Sequence, residues 1–192
     1  SRKRLEDGGI DLSLGYPEIP DRSEIPIFLD QAFAVRDYDV HFVDRGKDAD
    51  PEKKALFSAA EEVINLTDKI GTEIVGLQLA DLTNQQRDEL ALLIAERGVV
   101  FFRNQKLPPK AQCELGDYYG NIEKHPQAQH VPGFRGARVI WTDYLIQRGL
   151  KITFENSNLS NWDTTKFPAV GNQGWHADLV HERQPAGYTH LH

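Results

Sequence analysis

A histidine and an aspartate two positions apart, His176 and Asp178 in the stretch Gly174-Trp175-His176-Ala177-Asp178-Leu179, are the residues of this sequence best suited to chemistry. On a strand, side chains alternate between faces with period two, so the imidazole and the carboxylate would project together. One nitrogen and one oxygen donor on a shared face make two arms of the arrangement that holds non-haem Fe(II) and keeps positions open for oxygen and substrate. A third arm is needed. With seven histidines and 29 acidic residues in 192, such a pair also arises by chance, so the rest of the chain has to give it meaning.

A content of 40% apolar and 27% charged residues suits one globular domain with its own core. The net charge of -7 and the pI near 5.5 argue against binding a phosphate backbone, so no nucleic-acid partner is expected. Apolar runs such as Val99-Val100-Phe101-Phe102 are too short to span a bilayer, and the basic opening has no apolar segment behind it. The expectation is a soluble, unsecreted, cytoplasmic protein without a membrane partner. Cys113, the single cysteine, permits no internal disulfide and falls in a helical pattern as inert packing. Asn65 and Asn158 open glycosylation sequons, read here as chance matches. The sequence contains no methionine, where a natural start would supply one, and the expectation is a piece of a longer chain.

The elements that must position the pair follow from periodicity and punctuation. Residues 1–50, with Pro17, Pro20 and Pro26 and no sustained period, predict an extended arm anchored by Tyr16, Phe28, Phe33 and Tyr38. Asp50 and Pro51 signal a helix start, and Ala59, Ala60, Val63 and Ile64 carry that helix to Asn65. Residues 71–79 predict a short strand. Thr83 and Gln86 form a capping box for a helix with Leu90, Leu93, Ile94 and the stem of Arg97 on one face, closed by Gly98. Residues 99–102 predict a strand covered on both faces. Pro108-Pro109 opens a helix through Tyr119, residues 138–141 predict a strand, and residues 149–172 predict a long polar loop. This order suits an α+β protein with an antiparallel sheet.

Several stretches then fall into one order: Gly71-Thr-Glu-Ile-x-Gly-Leu-x-Leu79, Val99-Val-Phe-Phe-Arg-Asn-Gln105, Gly120 to His125-Pro126, Trp175-His-x-Asp178 and Pro185-Ala186-Gly187. In that order they resemble the Fe(II)/2-oxoglutarate-dependent dioxygenases of the taurine dioxygenase type. The phrase from His176 to Gly187 looks like the fungal alkylsulfonate branch. The resemblance implies a double-stranded β-helix, or jelly roll, with N-terminal helices. It implies residues 1–50 as an arm and 51–192 as the N-terminal part of one dioxygenase domain.

It further implies that His176 and Asp178 are two iron ligands, that 2-oxoglutarate and O2 are consumed, and that an alkylsulfonate is hydroxylated beside its sulfonate, giving an aldehyde and sulfite. His125 and Asn172 match the positions from which family members donate hydrogen bonds to the sulfonate. Ala128 departs from the pattern, because taurine-cleaving relatives carry a tyrosine there, so the organic tail of the sulfonate stays open. Arg183 is expected to meet an acidic neighbour. His190 and His192, though they would share a strand face, are not expected to be the third ligand, which the family carries downstream with the 2-oxoglutarate-binding arginine. The expectation is therefore half a barrel, inactive alone. The rival readings are a non-catalytic truncated product, a 2-oxoglutarate oxygenase with a non-sulfonate substrate, and a redox-inactive cupin-like metal protein. A homo-oligomer is compatible with all of them.

Overall fold

The computed structural model describes residues 2–13, 35–124, 130–139, 178–179 and 182–192. Its centre is a helix. Helix α3, numbered in chain order after α1 (Arg2–Asp7) and α2 (Lys54–Ala59), spans Asn84–Arg97. Thr83 accepts a hydrogen bond from the Gln86 amide at 3.3 Å while Gln86 Oε1 accepts from the Thr83 amide at 2.9 Å, the expected capping box. Gly98 ends the helix at φ 70°, and its N–H donates to Ile94 O at 2.8 Å. Leu90 and Leu93 of α3 join Leu56, Ile74 and Leu82 in the main core, with Ile94 packed against it.

The sheet under this helix has the order β1-β2-β3, from Glu62–Asn65, Thr72–Val75 and Val100–Phe102. Strands β1 and β2 are antiparallel, with Val63 opposite Ile74, whereas β2 and β3 are parallel, with Ile74 opposite Phe102. The wholly antiparallel expectation is thus corrected. Because α3 lies between β2 and β3, the chain returns to the end from which β2 started, and the second strand runs the same way.

Two further expectations change. The helix expected to reach Asn65 stops at Ala59, and Ala60 is extended at φ -77°, ψ 146°. Asp50 does not cap it: its Oδ1 accepts from the Glu52 amide at 3.0 Å and its carbonyl from the Lys53 amide at 2.9 Å, forming a turn. Among the described residues strand β3 lies at the edge of its sheet, and it is not covered on both faces, since Phe101 is 38% exposed. On that open face, Arg103 pairs with Glu73 of β2 at 3.0 Å and lies over the Phe101 ring.

Arg97 binds the β1–β2 connection. Its guanidinium donates to Thr72 Oγ1 at 3.0 Å and to the carbonyls of Thr67, Asp68 and Gly71 at 2.6, 3.0 and 3.0 Å. Glu89 does similar work on the other flank. It is fully buried, and its Oε2 accepts from the Leu56 amide in the first turn of α2 at 2.7 Å. No side chain of α2's own cap residue performs that task.

A second core joins Leu5 of α1 and Leu12 to Val131 and Ala137 of a hairpin, β4 (His130–Val131) with β5 (Phe134–Arg138). The N-terminal segment therefore opens with a helix rather than an extended chain. Tyr38 is 63% exposed and does not serve as an anchor, while Tyr16, Phe28 and Phe33 lie outside the described residues. Helix α4 (Pro109–Tyr119) is as expected, and its Cys113 packs against this second core. Burial, with Asp117 and Glu114 behind it, pushes the Cys113 thiol up, in keeping with inert packing. Strand β5 starts four residues before the predicted one, and residues 140–177, including the expected loop, lie outside the described residues. No described helix is long and apolar enough to cross a membrane.

Candidate metal centre

Of the site residues expected from sequence, Asp178 is described, and His176, His125 and Asn172, with Ala128, lie outside the described residues. Asp178 is exposed, and its Oδ2 accepts a hydrogen bond from Thr189 Oγ1 at 2.8 Å. Between these two residues the chain makes a loop. Leu179 adopts a left-handed φ of 53°, the Glu182 amide donates to Leu179 O at 2.9 Å, and the chain then returns past Pro185 and Gly187.

The loop is held at both ends. At its base, Tyr188 stacks on Tyr119 of α4 with ring centroids 5.0 Å apart, which fixes the residue next to Thr189. Tyr119 in turn donates its hydroxyl to Arg87 O at 3.0 Å, and burial pushes its phenol well above the ordinary range. At the far side, Gln184 bonds both backbone groups of Val40: its Oε1 accepts from the Val40 amide at 2.5 Å and its Nε2 donates to the Val40 carbonyl at 3.0 Å. Arg183 pairs with Asp39 at 3.1 Å, which is the acidic neighbour expected for it.

His190 and His192 border a groove of about 540 Å³ between α1, the start of α4 and β5. His192 Nε2 lies 3.3 Å from Gln105 O. Among the described residues no three His, Cys, Asp or Glu side chains gather into a metal-binding cluster, so these histidines are not joined to Asp178 there.

The donor chemistry at Asp178 fits an iron ligand. Ligating carboxylates are oriented by a hydrogen bond from outside the coordination sphere, and Thr189 supplies one to Oδ2. Sequence reasoning missed Thr189 and Tyr188, and no local signal marks them, because their partners are reached only when the loop closes back on itself and on α4.

The described helices and the mixed sheet make an α+β arrangement. Residues 62–192, beginning at the first residue of β1, match the family described as taurine catabolism dioxygenase TauD, TfdA family, and the chain belongs to that family. An alpha-ketoglutarate-dependent sulfonate dioxygenase of Saccharomyces cerevisiae is 34% identical over 131 residues, covering 67% of this chain and 29% of that protein. Two dioxygenases of Penicillium expansum, alpha-ketoglutarate-dependent dioxygenases cnsM and cnsP, are 39% identical over 90 residues and 33% identical over 154 residues. These matches cover 45% and 79% of this chain and 25% and 38% of the relatives. The chain thus spans well under half the length of the relatives it matches.

Proposed function

We propose that this chain is the N-terminal part of an Fe(II)- and 2-oxoglutarate-dependent dioxygenase that hydroxylates an alkylsulfonate at the carbon bearing the sulfonate. The observation that carries this reading is the family match over residues 62–192, inside which Asp178 is held by Thr189 as a ligating carboxylate would be. The reading assigns His176 and Asp178 as two of three iron ligands. It assigns His125 and Asn172 as hydrogen-bond donors to the sulfonate, which is an anion at neutral pH and needs donors wherever it is bound. It takes residues 51–192 as part of a jelly-roll dioxygenase domain and residues 1–50 as an arm, an arrangement supported by the packing of Leu5 and Leu12 on the β4–β5 hairpin.

When bound, iron with 2-oxoglutarate and O2 supplies the oxidising power, leaving succinate and carbon dioxide. The protein binds, orients and excludes water. The hydroxylated product then loses sulfite to give an aldehyde.

A second reading, oxygenation of a substrate without a sulfonate, is favoured by Ala128 at the position of the taurine-type tyrosine and by the Penicillium relatives, whose names carry no sulfonate. The test is sulfite release by the complete protein, supplied with Fe(II), 2-oxoglutarate and a panel of alkylsulfonates. Sulfite from at least one of them supports the first reading. Succinate formed only with non-sulfonate substrates supports the second. Unchanged Fe(II) affinity in His176→Ala would refute the ligand assignment.

A further inference from the structure

We infer that the groove between α1, the start of α4 and β5 binds a single-chain organic anion, its apolar tail laid along the floor and its charged head held by Lys106 and Arg138. None of the residues used here is assigned to iron or to the sulfonate, so the inference stands apart from the functional reading. The groove measures about 540 Å³, inside the range of about 300–1,000 Å³ that small-molecule sites occupy. Its floor comes from four places in the chain. Leu5 of α1, Leu107 ahead of α4, Val131 of β4 and Ala137 of β5 all line it, and all four are buried. Pro108 and Pro109 form part of the wall and bring no backbone N–H that an apolar tail would leave without a partner.

The rim decides the sign of the head group. Lys106 and Arg138 line the groove together with His190 and His192, and the carboxylate among the described lining residues is that of Asp7. Asp7 is already matched, since Lys3 Nζ lies 2.9 Å from its Oδ1. No described carboxylate pairs with Lys106 or Arg138. Over the whole chain acidic residues outnumber basic ones by 29 to 22, so two uncancelled cations at one groove run against the charge of the rest. At the edge of an apolar recess such charges act through less water than on open surface, and they draw in an anion while repelling a cation. His192 Nε2, 3.3 Å from Gln105 O, is held at this rim, and the neighbouring Leu191 is 84% exposed. An inorganic anion has no use for the floor, and an uncharged apolar molecule has no use for the rim. An alkyl chain ending in a carboxylate or a like anion uses both.

The test is calorimetric titration of the complete, iron-free protein with octanoate, so that its outcome does not depend on the oxygenase reading. Octanoate binds saturably and octyltrimethylammonium, with the same tail and the opposite charge, does not. Hexanoate binds about tenfold more weakly, because two methylenes leave the floor. Lys106→Gln and Arg138→Gln each weaken octanoate about tenfold, as loss of one charge-assisted contact does. Leu191→Glu, which sets a like charge beside the head group, weakens it too. All three positions are exposed, and thermal melting of each variant shows that the fold is kept; if one fails to fold, the chain-length series on the unaltered protein decides. Absence of saturable octanoate binding overturns the inference. So do equal affinity for the cationic analogue, affinity independent of chain length, and affinity unchanged when Lys106→Gln and Arg138→Gln are combined. Binding to phosphatidylglycerol vesicles without binding of free octanoate overturns it as well, since the surface would then recognise a membrane and the groove no free anion.

Discussion

Removing the buried carboxylate of Glu89 tests the way this fold joins its first helices. Glu89 is fully buried in α3, and its Oε2 is the acceptor for the Leu56 amide in the first turn of α2, while Oε1 accepts from Gln85 Nε2 at 3.2 Å. A helix N-terminus favours a negative charge as well as an acceptor, and Glu89 supplies both from a different helix. Glu89→Ala leaves the Leu56 N–H without its partner in a place water does not reach, since Leu56 is itself fully buried. The lost charge-assisted bond and the stranded donor overlap in cost, and together they come to about 2–4 kcal/mol. For a domain of this size that is a fall in Tm of roughly 5–12 °C. Glu89→Gln keeps an acceptor oxygen and costs about 1 kcal/mol. Thermal melting gives the totals, and hydrogen exchange at the Leu56 amide gives the local effect. Glu89→Ala with unchanged Tm and full protection at Leu56 would refute the capping role. A Gln variant as damaged as Ala would show that the charge matters and the acceptor does not.

Two other outcomes follow from the same geometry. Thr189→Val removes the donor on Asp178 Oδ2 at nearly constant volume, and Fe(II) affinity of the complete protein falls about tenfold; an unaltered titration would mean that the hydroxyl does not orient the carboxylate. Tyr119, whose phenol burial raises above its ordinary value of 10.0, favours its neutral form in the fold. Its contribution is present below pH 10 and is lost as the pH climbs toward the higher folded value, so Tyr119→Phe should flatten the loss of stability measured by denaturant unfolding between about pH 10 and 11. An equally steep loss in the variant would place the alkaline sensitivity elsewhere.

The parts of this structure legible in the sequence are those written in local chemistry. Thr83, Gln86 and Gly98 each act through atoms within a turn of themselves, so α3 could be delimited almost to the residue. The misreadings come from partners far along the chain. Ala59, Ala60, Val63 and Ile64 fit a helical spacing as well as any, but Val63 finds Ile74 across an antiparallel ladder, and the β-branched pair goes to the sheet. Phe101 looked buried because apolar runs usually are, yet β3 has a neighbour on one side only among the described residues, and Arg103 covers part of the ring instead. At the candidate site, Asp178 was singled out by its ordered neighbours in the sequence. Thr189 was not, since a hydroxyl eleven residues away acquires meaning only when the chain has folded.

The double bond from Gln184 to Val40 implies an asymmetry in mutational tolerance. The amide of Gln184 grips the peptide groups of Val40 and makes no demand on its side chain. Position 40 can therefore vary widely, proline excepted because it would lack the N–H, while position 184 can change only at the expense of the joint. A segment recognised through its backbone can drift in sequence until little resemblance remains and still occupy the same place, which is a physical route by which residues ahead of the family-matched span could serve a site they share no signature with.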